Sequence, residues 1–218
     1  MPRTRAATFE VQRDAILATA ATCFAARGYP VASIADIARA CGVSKALVYH
    51  YYRDKEQLLF AIADRYLDGL HAIVAAQAAE KVAPAGRLRA LIEHFMRAYE
   101  HSAAQHRVLV QDVKYLSRAH RNRVNAKQRQ VVDAYAQAVA AVAPQLAGTN
   151  LLKPVTMTLF GMINWTFTWL RDDGPLAYSD MAPVVADLFL RGVGAVKAVG
   201  GRAAPPARDF AQAMRRQG

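Results

Sequence analysis

Five residues in the stretch SKALVYHY have the types and spacing for recognition chemistry: Lys45, Ala46, Leu47, Tyr49 and His50. They bring together one cation, two small or apolar groups and two aromatic rings. Val48 and Tyr52, four apart, define the inward side of a helix here, so the five fall on its outer side. An exposed Tyr beside an exposed Leu is odd on a solvated helix but natural on one pressed into a DNA groove. Leu and Ala can meet a thymine methyl, and Tyr can bond a phosphate or a base edge.

The elements that must position these groups are legible around them. Ser33 opens a capping box with Asp36 three residues on. Ile34, Ile37, Ala38 and Cys41 then recur at helical spacing and make one apolar face. Gly42 stands just past that face, where a helix end favours a residue that tolerates positive φ. Ser44 caps the second helix, and Asp54, with Gln57 at N3, caps a third. Helix, Gly-containing corner, helix is the helix-turn-helix arrangement, whose second helix enters the major groove.

The segment GVSKALVYHYYRDKEQLL resembles the DNA-binding signature of the tetracycline-repressor (TetR) family of bacterial regulators. IADIARACG and AILATAATCFAARGY resemble that family's first two helices, so the likeness runs from about Ala7 to Tyr66. Leu47 stands where Thr is common in the family, Ala46 where Gly is, and Tyr52 where Phe is. These departures bear on which operator is read. The resemblance implies DNA contacts from Ser33, Ser44, Lys45, Ala46, Leu47, Tyr49, His50 and Lys55, with Lys55 meeting a phosphate rather than serving as a plain surface lysine.

Composition bounds the rest. The 218 residues are 54% apolar with 12 Gly and 9 Pro. Alanine is abundant, and no alternating Val/Ile/Thr runs argue for sheet, so the expected fold is all-α. It comprises a three-helix helix-turn-helix domain at 7–66, a helical ligand-binding and dimerisation domain at 67–200, and a loose tail at 201–218. No apolar run reaches membrane-spanning length and the start lacks a secretory segment, which predicts a cytoplasmic protein without a membrane partner. Cys23 and Cys41 read as small, reduced, buried residues.

The net charge is +11, which favours a polyanionic partner. Residues 1–60 hold eight Lys/Arg against five Asp/Glu, only +3, and the remainder holds +8. The DNA reading therefore rests on the motif. The window 107–129 is the most basic, with seven Lys/Arg and one acid. It reads either as a solvated helix face or as an entrance that attracts ligand phosphates. Arg3 and Arg5 read either as part of a disordered terminus or as an arm for a minor groove.

Along the chain, helices are expected from Thr8 to Arg27 and from Asp54 toward Ala79. Pro84 and Gly86 mark a turn before Arg87–His101. Val131–Val142 and Leu151–Arg171 follow, and a last helix is capped by Ser179 or Asp180. The last two expose more apolar surface than one domain buries. Pairing with a second copy gives a four-helix bundle, a twofold homodimer and a palindromic double-stranded DNA operator.

FGMINWTFTWLRDDGPLAYSDMAPVVADLFLRG is similar to the C-terminal part of a TetR subset that responds to acyl-CoA thioesters. That likeness implies a small-molecule effector, an acyl-CoA or aryl-CoA. Tyr99, Tyr115, Phe160, Asn164, Trp165 and Trp169 are the pocket candidates, each open to a core or dimer-interface reading instead.

No Gly-rich phosphate loop, His-Glu-x-x-His, Cys-x-x-Cys or nucleophile elbow occurs, so neither enzyme activity nor a cofactor is expected. His94 and His101 could share a helix face but lack a third ligand, so no metal site is expected. Two function classes follow: a repressor released by its ligand, or a basic helical nucleic-acid binder or ligand carrier without operator specificity. Preference for one palindrome over random DNA separates them.

Overall fold

Two serines and an aspartate set the head of the chain. Ser33 Oγ accepts the Asp36 N–H at 3.1 Å while the Asp36 carboxylate accepts the Ser33 N–H at 3.2 Å. Ser44 Oγ accepts the Leu47 N–H at 3.1 Å, and the Asp54 carboxylate accepts the Gln57 N–H at 2.7 Å. Each cap satisfies a backbone donor that the first turn of a helix leaves open. The computed structural model describes residues 2–170 and 173–197, with side chains from residue 9 onward except at 167. The expected tail at 201–218 and the side chains of Arg3 and Arg5 lie outside the described residues.

Nine α-helices are described: α1 (Pro2–Arg27), α2 (Ile34–Ala40), α3 (Lys45–Tyr51), α4 (Lys55–Ala79), α5 (Pro84–His101), α6 (Ala103–Gln111), α7 (Arg118–Val142), α8 (Leu152–Asn164) and α9 (Tyr178–Val193). No strand occurs among the described residues. None of their helices is long and apolar enough to cross a membrane.

Helices α1 to α3 pack as a head around Ile16, Ala20, Phe24, Ile37 and Val48, each at most 1% exposed. Gly28 (φ +78°) and Gly42 (φ +66°) make the two corners in the left-handed region that a side chain disfavours. Cys23 and Cys41 are half-buried against this core. The long α4 buries Leu58, Leu59, Ile62, Leu67 and Leu70 and runs from the head into the second domain. There α5 lies against α9, and a third wall comes from α7 and α8.

Several boundaries differ from the sequence expectation. The first helix reaches back to Pro2, so the segment that reads as a disordered terminus or an arm is helical backbone. Pro84 is the first residue of α5 rather than part of a turn, since a missing N–H is harmless at that position. The basic window, read as one face, is broken by a turn, and α7 begins before the expected Val131. After α6, a 3-10 turn at Val113–Tyr115 and an extended Leu116 lead to Ser117, which caps α7. No Gly or Pro then interrupts the chain until Pro144, so α7 is one helix of 25 residues. The expected helix 151–171 stops at Asn164 and tightens into a 3-10 turn, Trp165–Thr168. Asp180 does help start α9: its carboxylate accepts the Ala177 N–H at 2.8 Å.

Candidate nucleic-acid interface

Helix α3 has seven residues, about 10 Å of rod at 1.5 Å per residue, which suits a major groove about 12 Å wide. Val48 is fully buried and Tyr52 is 5% exposed, so the inward side is fixed. Burial pushes the Tyr52 phenol up to about 12. On the opposite side Ser44, Lys45, Ala46, Tyr49 and His50 are exposed and Leu47 is half-buried. The Lys45 ammonium lies 5.7 Å from the Tyr49 ring centroid, so cation and ring share one face. Ser33 is half-buried, with its hydroxyl engaged by Asp36.

A residue the sequence reading did not single out completes this face. Phe9, on α1, packs tilted against Tyr51 at 4.6 Å and meets His50 edge-on at 6.1 Å. It holds the end of α3 against α1. Its only sequence signal is an aromatic ring off the α1 core stripe.

Lys55 also has a local task inside the fold. Its ammonium donates to the carbonyls of Tyr29 (2.7 Å), Pro30 (3.3 Å) and Ala32 (2.9 Å) and lies 4.4 Å from the Tyr29 ring centroid. An ammonium has three donors, and these carbonyls take all three. Lys55 therefore clamps the α1–α2 loop next to the Ser33 cap. A phosphate contact would replace one of these bonds.

In the second domain the pocket candidates divide. The Tyr99 hydroxyl donates to Asn164 Oδ1 at 2.7 Å, and its ring stacks on His106 at 3.9 Å. Phe160 packs on Tyr135 at 4.8 Å, and Tyr135 packs on Phe95 at the same distance. Tyr99, Phe160 and Asn164 thus belong to one buried aromatic cluster. Tyr115 does not: it is 42% exposed and stacks on Tyr29 at 5.4 Å, beside the head. Trp165 (68% exposed) and Trp169 (49%) also stand outside the cluster. Trp165 opens and Trp169 follows a 3-10 turn, where the rotation per residue differs from that of α8.

A cavity of about 370 Å³ adjoins the cluster through Tyr66. Leu17, Ile62, Leu70, Ile73 and Ala98 supply apolar wall, and Ser102 and Gln105 supply polar groups. Asp14 and Arg65 also line it as a two-pronged ion pair, with Arg65 Nη2 to Asp14 Oδ2 at 2.7 Å. The Tyr66 hydroxyl meets His106 Nδ1 at 3.3 Å. Burial drives the His106 ring down to about 4, so it is neutral at pH 7.

Two family descriptions match the chain. "Bacterial regulatory proteins, tetR family" covers residues 16–62, and "Tetracyclin repressor-like, C-terminal domain" covers residues 81–193, more than half of the chain. The chain belongs to the TetR family. A TetR-family transcriptional regulator from Bordetella parapertussis is similar in structure, with a TM-score of 0.78 and 34% identity over 82% of this chain and 93% of that one. AibR, solved in complex with isovaleryl coenzyme A and operator DNA, is 28% identical with a TM-score of 0.70, over 82% and 96% of the two chains. The HTH-type transcriptional repressor KstR2 of Mycolicibacterium smegmatis is 31% identical over 106 residues, 49% of this chain and 52% of its own. The TetR-family chain thus spans about half the length of that curated relative.

Two results follow. Lys55→Met keeps the aliphatic stem and removes the three carbonyl bonds. It should cost about 1–3 kcal/mol of stability, seen as a lower urea midpoint. Unchanged stability with weaker DNA binding would return Lys55 to a phosphate role. For His106, the folded value of about 4 lies below the unfolded value of about 6.5. The stability tied to it is full above pH 6.5 and is lost as pH falls toward 4, about 2 kcal/mol by pH 5. His106→Gln should flatten the slope of melting temperature between pH 6.5 and 5.

Proposed function

We propose that the protein is a transcriptional repressor that reads a palindromic operator as a homodimer and is released by a small-molecule effector, an acyl-CoA or aryl-CoA thioester. The observation that carries the DNA reading is the exposed face of α3, with Lys45, Tyr49 and His50 outward and both ends of the helix pinned by Ser44 and Phe9. Nothing in the fold itself needs those side chains exposed.

Homodimer formation is supported by the outer faces of the last elements. Met157, Trp165, Trp169, Leu176, Val184 and Leu188 are each at least 37% exposed. Solvated apolar groups at this density on adjoining elements suit burial against a second copy. The twofold axis would place two α3 helices about one DNA turn, 34–36 Å, apart or a further turn along.

The thioester assignment is supported by the apolar cavity walls beside the Tyr66–His106–Tyr99 cluster, by the basic exterior, and by the isovaleryl coenzyme A bound to AibR. An acyl group entering between α1, α4 and α6 would push on Tyr66 and tilt α4. The heads would then no longer match the half-site spacing. Release requires that the effector bind the tilted state more tightly than the DNA-bound state.

Tyr49→Ala should abolish preference for the operator over random duplex while the dimer stays intact by sedimentation. Undiminished preference would displace α3 from the reading role. For the effector, a panel of acyl-CoA and aryl-CoA compounds should include one that raises stability by about 2.7 kcal/mol at 100 times its Kd. A panel without any thermal shift would remove the thioester assignment.

A further inference from the structure

The basic window is not one surface. Helices α4 and α7 run side by side in the same direction, in step. Glu56 accepts the Ser117 N–H at 2.9 Å and pairs with His120 Nδ1 at 2.8 Å. Four residues on, Phe60 stacks on His120 at 4.3 Å and lies 4.9 Å from the Arg123 guanidinium. Another turn on, Lys127 pairs with Asp64 at 2.7 Å and Asp68 at 2.6 Å. Arg123 and Lys127 therefore hold the second domain to α4.

The same register fixes where the other cations lie. The first turn of α7 is level with the first turn of α4, where Lys55 grips the α1–α2 loop. Just before it, Tyr115 stacks on Tyr29 of that loop, and the Lys114 ammonium lies 5.4 Å from the Tyr115 ring centroid. Lys114 and Arg118 are exposed and Arg121 is half-exposed. None of the three has a carboxylate within ion-pair distance among the described residues. Helical side chains lean toward the N-terminus, so Arg118 and Arg121 lean toward the head end.

Their position breaks a local rule. A helix N-terminus favours anions, yet α7 has no acid in its first turn and begins Arg-Ala-His-Arg. Glu56 supplies an anion from α4 to Ser117 and His120 and leaves the two arginines uncompensated. A broken local rule with no gain inside the fold marks a functional position. It also answers a shortfall, because residues 1–60 carry only +3 of the +11. Along α4 the cavity is lined from Ile62 to Ile73, 6 to 17 residues beyond Glu56 and roughly 9–26 Å along the helix, whereas these cations lie level with its first turn.

We propose that Lys114, Arg118 and Arg121 form a second phosphate-contacting surface, on the second domain, that takes the DNA backbone flanking the groove site of α3. It rests on the DNA reading above. The test compares wild type with an Arg118→Gln/Arg121→Gln variant by fluorescence anisotropy over a salt series, on operator duplex with long flanks and on random duplex. The slope of log K against log salt should fall by about 0.9 per lost phosphate contact, close to 2 per protomer. Preference for the operator should be unchanged, and the melting temperature should be no lower than wild type, since the variant removes cations from a helix start. Arg118→Lys/Arg121→Lys should restore the slope. An unchanged slope in the folded Gln variant overturns the proposal, as does lost response to CoA thioesters with the slope intact. Equal wild-type binding to every duplex would remove the groove reading alone, and the slope on random duplex would still decide the surface.

Discussion

Everything in the architecture passes through the first turn of α4. Two adjacent residues there hold opposite halves of the molecule. The Lys55 ammonium bonds three carbonyls of the α1–α2 loop, and that loop leads directly into the Ser33 cap of α2. The Glu56 carboxylate bonds the Ser117 N–H and His120 at the start of α7. These hydrogen bonds hold Glu56 down at about 2, so it stays ionised far below neutral pH. One rigid rod therefore carries the head at one end of its length and the walls of the cavity further along.

In the proposed release by an effector, this rod is the link between the cavity and the α3 face. The cavity takes its lining from α1, α4, α5 and α6, and Asp14 and Arg65 tie α1 to α4 on its rim. A group inserted there acts on the same helix that Lys55 and Glu56 anchor. Packed helices shift as units rather than deform smoothly. The buried cluster around Tyr66, His106 and Tyr99 adjoins that cavity through Tyr66, with the neutral His106 ring stacked on Tyr99.

What could be read from the sequence follows from the range of each interaction. The caps at Ser33, Ser44 and Asp54 span three residues, and the inward pair Val48 and Tyr52 spans four, so periodicity alone placed the outer face of α3. The clamp from Lys55 reaches back 23 to 26 residues, and the Glu56–His120 pair joins residues 64 apart. No local pattern announces either contact. The aromatic candidates divided for a related reason. A segment apolar on two sides does not say which side faces inward, and the 3-10 turn that places Trp165 and Trp169 outside leaves no mark in the spacing. Tyr115 was out of reach because the break at residues 112–117 contains neither Gly nor Pro.

In the proposed repressor, an outward recognition face, a shared lever and an apolar rear surface suited to a second copy combine to present two α3 faces at a fixed separation. Selection of bound sequences from a pool of random duplexes tests this most directly. The expected result is an inverted repeat bound by two chains, with half-sites one helical turn or a whole number of turns apart. Recovery of no shared sequence, or of a single half-site bound by one chain, would contradict it.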